Sequence, residues 1–112
     1  MKKYKYGNLE FSCSLSELNR GFSWAKEQAL AYVHDGEDPV GLWYEAALPA
    51  RDAFCMRDTA HHAQGAAALG LSAHTKNMLY RFAESISEEK DWCGWWEITK
   101  AGEPCPDDYD SD

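Results

Sequence analysis

Long apolar runs are missing from this chain. No stretch approaches the ~18 consecutive apolar residues of a membrane-spanning helix. The opening MKKYKYGNLEF is lysine-rich but lacks the apolar centre of a signal peptide. These absences predict no membrane partner and a cytoplasmic location. Positive charge is also short: 11 Lys and Arg stand against 19 Asp and Glu, a net charge of −8. Nucleic acid, whose phosphates would repel such a surface, is excluded as a partner. Cysteine is sparse and scattered, at Cys13, Cys55, Cys93 and Cys105, without a CxxC pair or a histidine at zinc-finger spacing. Free thiols in a reducing compartment are the reading. There is no glycine-rich phosphate loop, no nucleophile elbow and no internal repeat.

What is present is aromatic. Five Trp, six Tyr and four Phe fall within 112 residues, and 45% of the chain is hydrophobic. That length makes one domain or part of one. Aromatic faces suit either a dense core or the stacking of sugar rings.

The apolar spacing predicts an all-α chain with three main helices. Ser14-Leu-Ser-Glu17 has capping-box spacing, and Leu15, Leu18, Phe22, Ala25, Ala29, Tyr32 and Val33 follow on one face, predicting a helix over 15–34. His34-Asp35-Gly36 stops it. A second helix is expected from about Arg57 to Leu69, slender because it is rich in Ala, and Gly70 ends it. A third is expected over Ala73–Ser87, with Ser72 as its cap. The short connection predicts one αα-hairpin. Around these lie a lead-in over 1–13, which alternates weakly enough to suggest a short β-hairpin, and an acidic tail over 99–112 expected to be disordered. The helical region then spans 14–98. Residues 37–52 show no period, yet carry Trp43, Tyr44 and Glu45, so they are expected to line a cleft or cover the core.

The most informative stretch is Arg51-Asp-Ala-Phe-Cys-Met-Arg57-Asp58, with its two Arg-Asp pairs. An Asp at the start of a helix is stabilised by free backbone N–H groups and the helix dipole. An adjacent Arg and Asp can also grip vicinal hydroxyls, because guanidinium donates to hydroxyl oxygen and carboxylate accepts from hydroxyl hydrogen. Phe54-Cys-Met-Arg57-Asp58 at the opening of a helix resembles the substrate-gripping segment of the six-hairpin glycoside hydrolases, which include glucoamylases and α-L-rhamnosidase-like enzymes. LWYEAALPA before it and NMLYRFAESIS after it extend the resemblance over about Leu18 to Glu97.

The resemblance implies an incomplete piece of an (α/α)6 toroid, roughly one and a half hairpins of six. It implies carbohydrate as the ligand and Arg57 and Asp58 as binding rather than catalytic residues. Phe54, Trp43 and Glu45 are the accompanying sugar-contact candidates. Glycoside hydrolysis needs two opposed carboxyl groups. Glu45, Asp52, Asp58 and Glu97 are available near aromatics, but none can be assigned as catalytic, so the chain alone is expected to be inactive. No cofactor or metal is implied: His61 and His62 point about 100° apart on a helix and do not share an ion easily. Two rival readings remain. One is a small helical interaction module that self-associates through Trp92–Trp96. The weaker is a metal-responsive module using Asp58, His61 and His62.

Overall fold

The computed structural model describes residues 6–45 and 51–105. Helix α1 (Ser16–Ala31) comes first, then strands β1 (Val33–Asp35), β2 (Leu42–Tyr44) and β3 (Ala53–Cys55). Helices α2 (Met56–Ala68) and α3 (Ser72–Glu84) follow, then a 3₁₀ turn (Glu88–Lys90) and strand β4 (Glu97–Thr99). β1 pairs antiparallel with β2, and β3 with β4, as two separate two-stranded sheets. The expectation of an all-α chain, a piece of an (α/α)6 toroid, is therefore corrected to a mixed α/β fold. Each strand is three residues long, too short for a two-residue period to show in sequence.

The αα-hairpin forms where the spacing puts it. Its turn is a Schellman motif: Leu71 N–H bonds to Ala66 C=O at 2.8 Å and Gly70 N–H to Ala67 C=O at 3.0 Å. Gly70 adopts φ +82°, and a Cβ there would meet Tyr6 at 3.1 Å, so both backbone and space require glycine. Leu71 and Ala66 close the motif as buried neighbours.

α3 carries the core. Its buried Met78 and Phe82 face Val40, Trp43 and Tyr44 of the first hairpin and Phe54 and Ile98 of the second sheet. Phe54 meets Phe82 edge-on at 5.4 Å, and Trp43 lies 5.8 Å from Phe54. Asn77 fastens α3 to the β1–β2 loop by donating to Val40 C=O and Leu42 C=O, both at 2.9 Å. Tyr44 shares a 2.6 Å hydroxyl bond with Thr75 on the same helix.

α1 behaves differently. It buries no residue, and Leu15, Leu18 and Trp24 are 61%, 53% and 64% exposed. Its expected apolar stripe exists but is covered only in part. Phe11 packs on Phe22 at 5.4 Å, and Lys26 Nζ donates to Leu9 C=O at 2.7 Å. The helix extends the molecule to 56 × 25 × 22 Å.

Several expectations are corrected in detail. The capping box does not form, because Leu15 occupies the N-cap and no side chain caps the helix. Ser72 is likewise the first helical residue of α3 rather than its cap. α1 ends at Ala31 because Val33, His34 and Asp35 are drawn into β1, where His34 pairs with Trp43. Residues 6–13 form no strand, and Tyr4 lies outside the described residues. Residues 99–105 of the expected tail pack back on β4: Ile98 bridges to Pro104, and Cys105 N–H donates to Glu97 C=O at 3.0 Å. Pro106–Asp112 and Leu48 lie outside the described residues. No helix among the described residues is long and apolar enough to cross a membrane.

Candidate functional site

The stretch Arg51–Asp58 runs through β3 into the first turn of α2, and its two Arg-Asp pairs have different fates. In the β3–β4 register Phe54 opposes Ile98 and Cys55 opposes Glu97. Opposed residues share a face of the sheet. Phe54 and Ile98 therefore enter the core together, while Cys55 and Glu97 meet on the other side.

The first pair is structural. Arg51 grips buried Glu97 with both prongs, Nε at 2.8 Å and Nη2 at 3.0 Å. The Cys55 thiol donates to the same carboxylate at 2.8 Å. Burial alone would push Glu97 upward, but hydrogen bonds from Arg51, Cys55 and Cys105 outweigh it and hold the carboxyl below its usual range. The same surroundings act oppositely on the thiol. Burial, then the neighbouring Glu97 charge, pushes Cys55 up to about 12, so it stays protonated and is no nucleophile. Asp52 adopts a left-handed φ of 57°, which brings its N–H to Glu45 Oε1 at 2.9 Å. Its carbonyl accepts from Lys100 N–H at 2.9 Å.

The second pair is spare. Arg57 and Asp58 are the second and third residues of α2, whose N-cap, Cys55, makes no side-chain capping bond. Arg57 is exposed and lies 5.0 Å over the Trp96 ring. Asp58 is half-buried, and neither it nor Arg57 has a hydrogen bond or ion pair among the described residues. Met56 N–H to Trp96 C=O, at 3.1 Å, ties the start of the helix to the segment that carries this indole. Arg57 thus sets a cationic fork on an aromatic face at an uncapped helix start, and Asp58 follows as the next residue of the helix.

One turn further along α2, a cleft of about 400 Å³ opens between α1, β2 and α2. Tyr32, Tyr44, Glu45, His61 and His62 line it. His61 and His62 follow Asp58 by three and four residues, the spacing that places side chains on one side of a helix. Glu45 is 6% exposed and fixed by Asp52 N–H, so it forms wall rather than a mobile acid. A groove of about 510 Å³ on the outer side of α2 and α3 is larger but gathers no convergent set of ionisable groups.

Of the five sugar-contact candidates, Arg57 is exposed and Asp58 half-buried in the first turn of α2, and Glu45 lines the neighbouring cleft. Trp43 and Phe54 are corrected: at 0% and 1% exposure they are core residues with no face to offer a ligand. The aromatic residue beside Arg57 is Trp96, whose ring lies under the guanidinium. Sequence reasoning passed over it as one of three clustered tryptophans. Of those, Trp92 is exposed and Trp95 packs against the core.

No protein-family model, curated protein or solved structure matches the chain.

Glu97 makes stability depend on pH in a definite direction. Its folded-state value lies below the unfolded one, about 4.3, so the stabilisation is present above that pH and drains away as pH falls through the folded value. Arg51→Ala should cost about 1.5–3 kcal/mol at pH 7, the scale of a charged hydrogen bond. It should also flatten the loss of stability below about pH 4.3. Urea denaturation across that range reads both effects. An unchanged acid slope would show that Glu97 is not the titrating group.

Proposed function

We propose that this chain forms part of a glycoside hydrolase domain and contributes a sugar-binding subsite built by Arg57, Asp58 and Trp96. The resemblance of Phe54–Asp58 to the grip of the six-hairpin glycoside hydrolases supports the reading. The observation that carries it is the uncommitted polarity of Arg57 and Asp58 beside an indole. Both groups retain the hydrogen-bonding capacity that a vicinal diol needs. Cleft residues Glu45, His61 and His62 extend the polar surface along α2.

Two carboxylates offered by the sequence are already engaged. Glu97 is held by Arg51 and two thiols, and Glu45 by Asp52 N–H. The subsite therefore binds without cleaving, and we assign no catalytic residue. The four scattered cysteines, without a CxxC pair, accord with a reducing compartment, and we place the protein in the cytoplasm.

A second reading, self-association of the chain with its own copy, is favoured by α1. Leu15 and Leu18 are exposed on the expected stripe, and Trp24 is exposed on the opposite side. Light scattering should then report a dimer, and Leu18→Glu should return a monomer. A monomer for the unaltered chain at high concentration removes this reading and leaves the sugar site untouched.

For the sugar site, calorimetric titration with monosaccharides and methyl glycosides should find binding. Asp58→Asn should weaken it by about 1–3 kcal/mol, the scale of losing a charged hydrogen-bond partner. The helix should tolerate that change, since the Asp58 side chain makes no hydrogen bond among the described residues. Affinity unaffected by Asp58→Asn, or turnover of an aryl glycoside lost with Glu45→Gln, would contradict the assignment.

A further inference from the structure

The loop of the β1–β2 hairpin gathers His34, Glu37 and Asp38. One ligand atom from each lies within 4.8 Å of the others. His34 Nδ1 is 3.0 Å from Glu37 Oε1 and 3.8 Å from Asp38 Oδ2. Bonds of ~2.1 Å to a tetrahedral ion separate neighbouring donor atoms by about 3.4 Å. The two observed spacings bracket that figure. We propose that His34, Glu37 and Asp38 form a binding site for a divalent transition-metal ion of the zinc class.

Each donor is already oriented. Glu37 Oε2 accepts from Asp35 N–H at 2.8 Å, leaving Oε1 directed at His34. Asp38 Oδ2, the oxygen that also faces His34, accepts from the indole N–H of fully buried Trp43 at 2.9 Å and keeps a second lone pair for the ion. The His34 ring is stacked on the same indole, 4.3 Å away and 11° from parallel. Ligands held by outer partners in this way are what a metal centre needs.

A separate observation comes from the far side of the imidazole. His34 Nε2 is buried and has no hydrogen-bond partner, although Glu45 Oε2 is 3.6 Å away. If Nδ1 donates to Glu37, Nε2 presents a lone pair towards a carboxylate, and two acceptors face each other. A cation on Nδ1 reverses the tautomer. The proton then sits on Nε2 and points at Glu45, the carboxylate–histidine–metal arrangement common to metal centres. A neutral imidazole is then matched to the ion on one side and to Glu45 on the other.

The donor set selects the metal class. One imidazole and two carboxylates suit Zn²⁺ and its neighbours, whereas Ca²⁺ and Mg²⁺ take oxygen alone and Cu(I) takes sulfur. The two carboxylates neutralise the dication. This site neither includes Arg57, Asp58 or Trp96 nor depends on sugar binding.

Calorimetric titration of the full chain with Zn²⁺ should give one site per chain. Co²⁺ should develop the visible bands of nitrogen and oxygen ligation without a thiolate charge-transfer band. His34→Gln should abolish binding. Asp38→Asn keeps an acceptor for Trp43 and should weaken binding about tenfold or more. Replacing the exposed thiols, Cys13→Ser and Cys93→Ser, should change neither stoichiometry nor affinity. The proposal is overturned if Zn²⁺ does not bind, if binding survives both His34→Gln and Asp38→Asn, or if it disappears with the thiols.

Discussion

The second half of the fold depends on one buried carboxylate. Glu97 sits 2% exposed on β4 and draws Arg51 across a sequence separation of 46 residues. A charge so placed is costly unless its oxygens are satisfied. Arg51, Cys55 and Cys105 satisfy them. Each partner lies on a different piece of chain: the entry to β3, the end of β3 and the segment after β4. Satisfying Glu97 therefore fixes all three segments at once. Cys55 is also the N-cap of α2, so the same carboxylate sets where that helix begins. Arg57 and Asp58 follow by two and three residues, and Trp96 immediately precedes Glu97. The polar surface at the start of α2 is a by-product of how one buried charge is housed.

A parallel economy holds in the first half. Trp43 is the centre of the core, yet its indole N–H reaches Asp38 and its face supports His34. Asn77 and Tyr44 tie this hairpin to α3, which also carries Phe82 against Phe54. Glu45 is one of the points at which the two halves touch. One oxygen accepts from Asp52 N–H, and the other faces His34 at 3.6 Å. The cleft wall, the loop of the first hairpin and the left-handed residue before β3 thus share a single side chain.

How much of this is legible in the sequence varies with element length. α2 and α3 span 13 residues each and display their period, and Gly70 marks their turn by the only backbone conformation that would serve. The three-residue strands carry no period. They are held by partners remote in sequence, such as Val33 with Tyr44 and Cys55 with Glu97. The aromatic loop around Trp43 was recognisable as covering something. Only tertiary packing decides that Trp43 is covered rather than covering. The same limit separates Arg51 from Arg57: in two identical dipeptides, one arginine is consumed by a buried glutamate 46 residues away and the other lies on the Trp96 ring without an ion pair among the described residues. For α1 the stripe was legible, but its occupancy was not, because amphipathic spacing predicts a face and not a partner.

The central claim is that Arg57, Asp58 and Trp96 form a surface which recognises hydroxyls. Nitrogen-15 NMR of the whole chain during titration with a methyl glycoside tests it most directly. The account predicts shifts concentrated at the Trp96 indole N–H, the Arg57 Nε–H and the backbone amides of α2's first turn. His61 and His62 should follow more weakly, and the Trp43 indole should stay still. No shift at saturating sugar, or shifts confined to the outer groove at Leu79 and Tyr80, would contradict it.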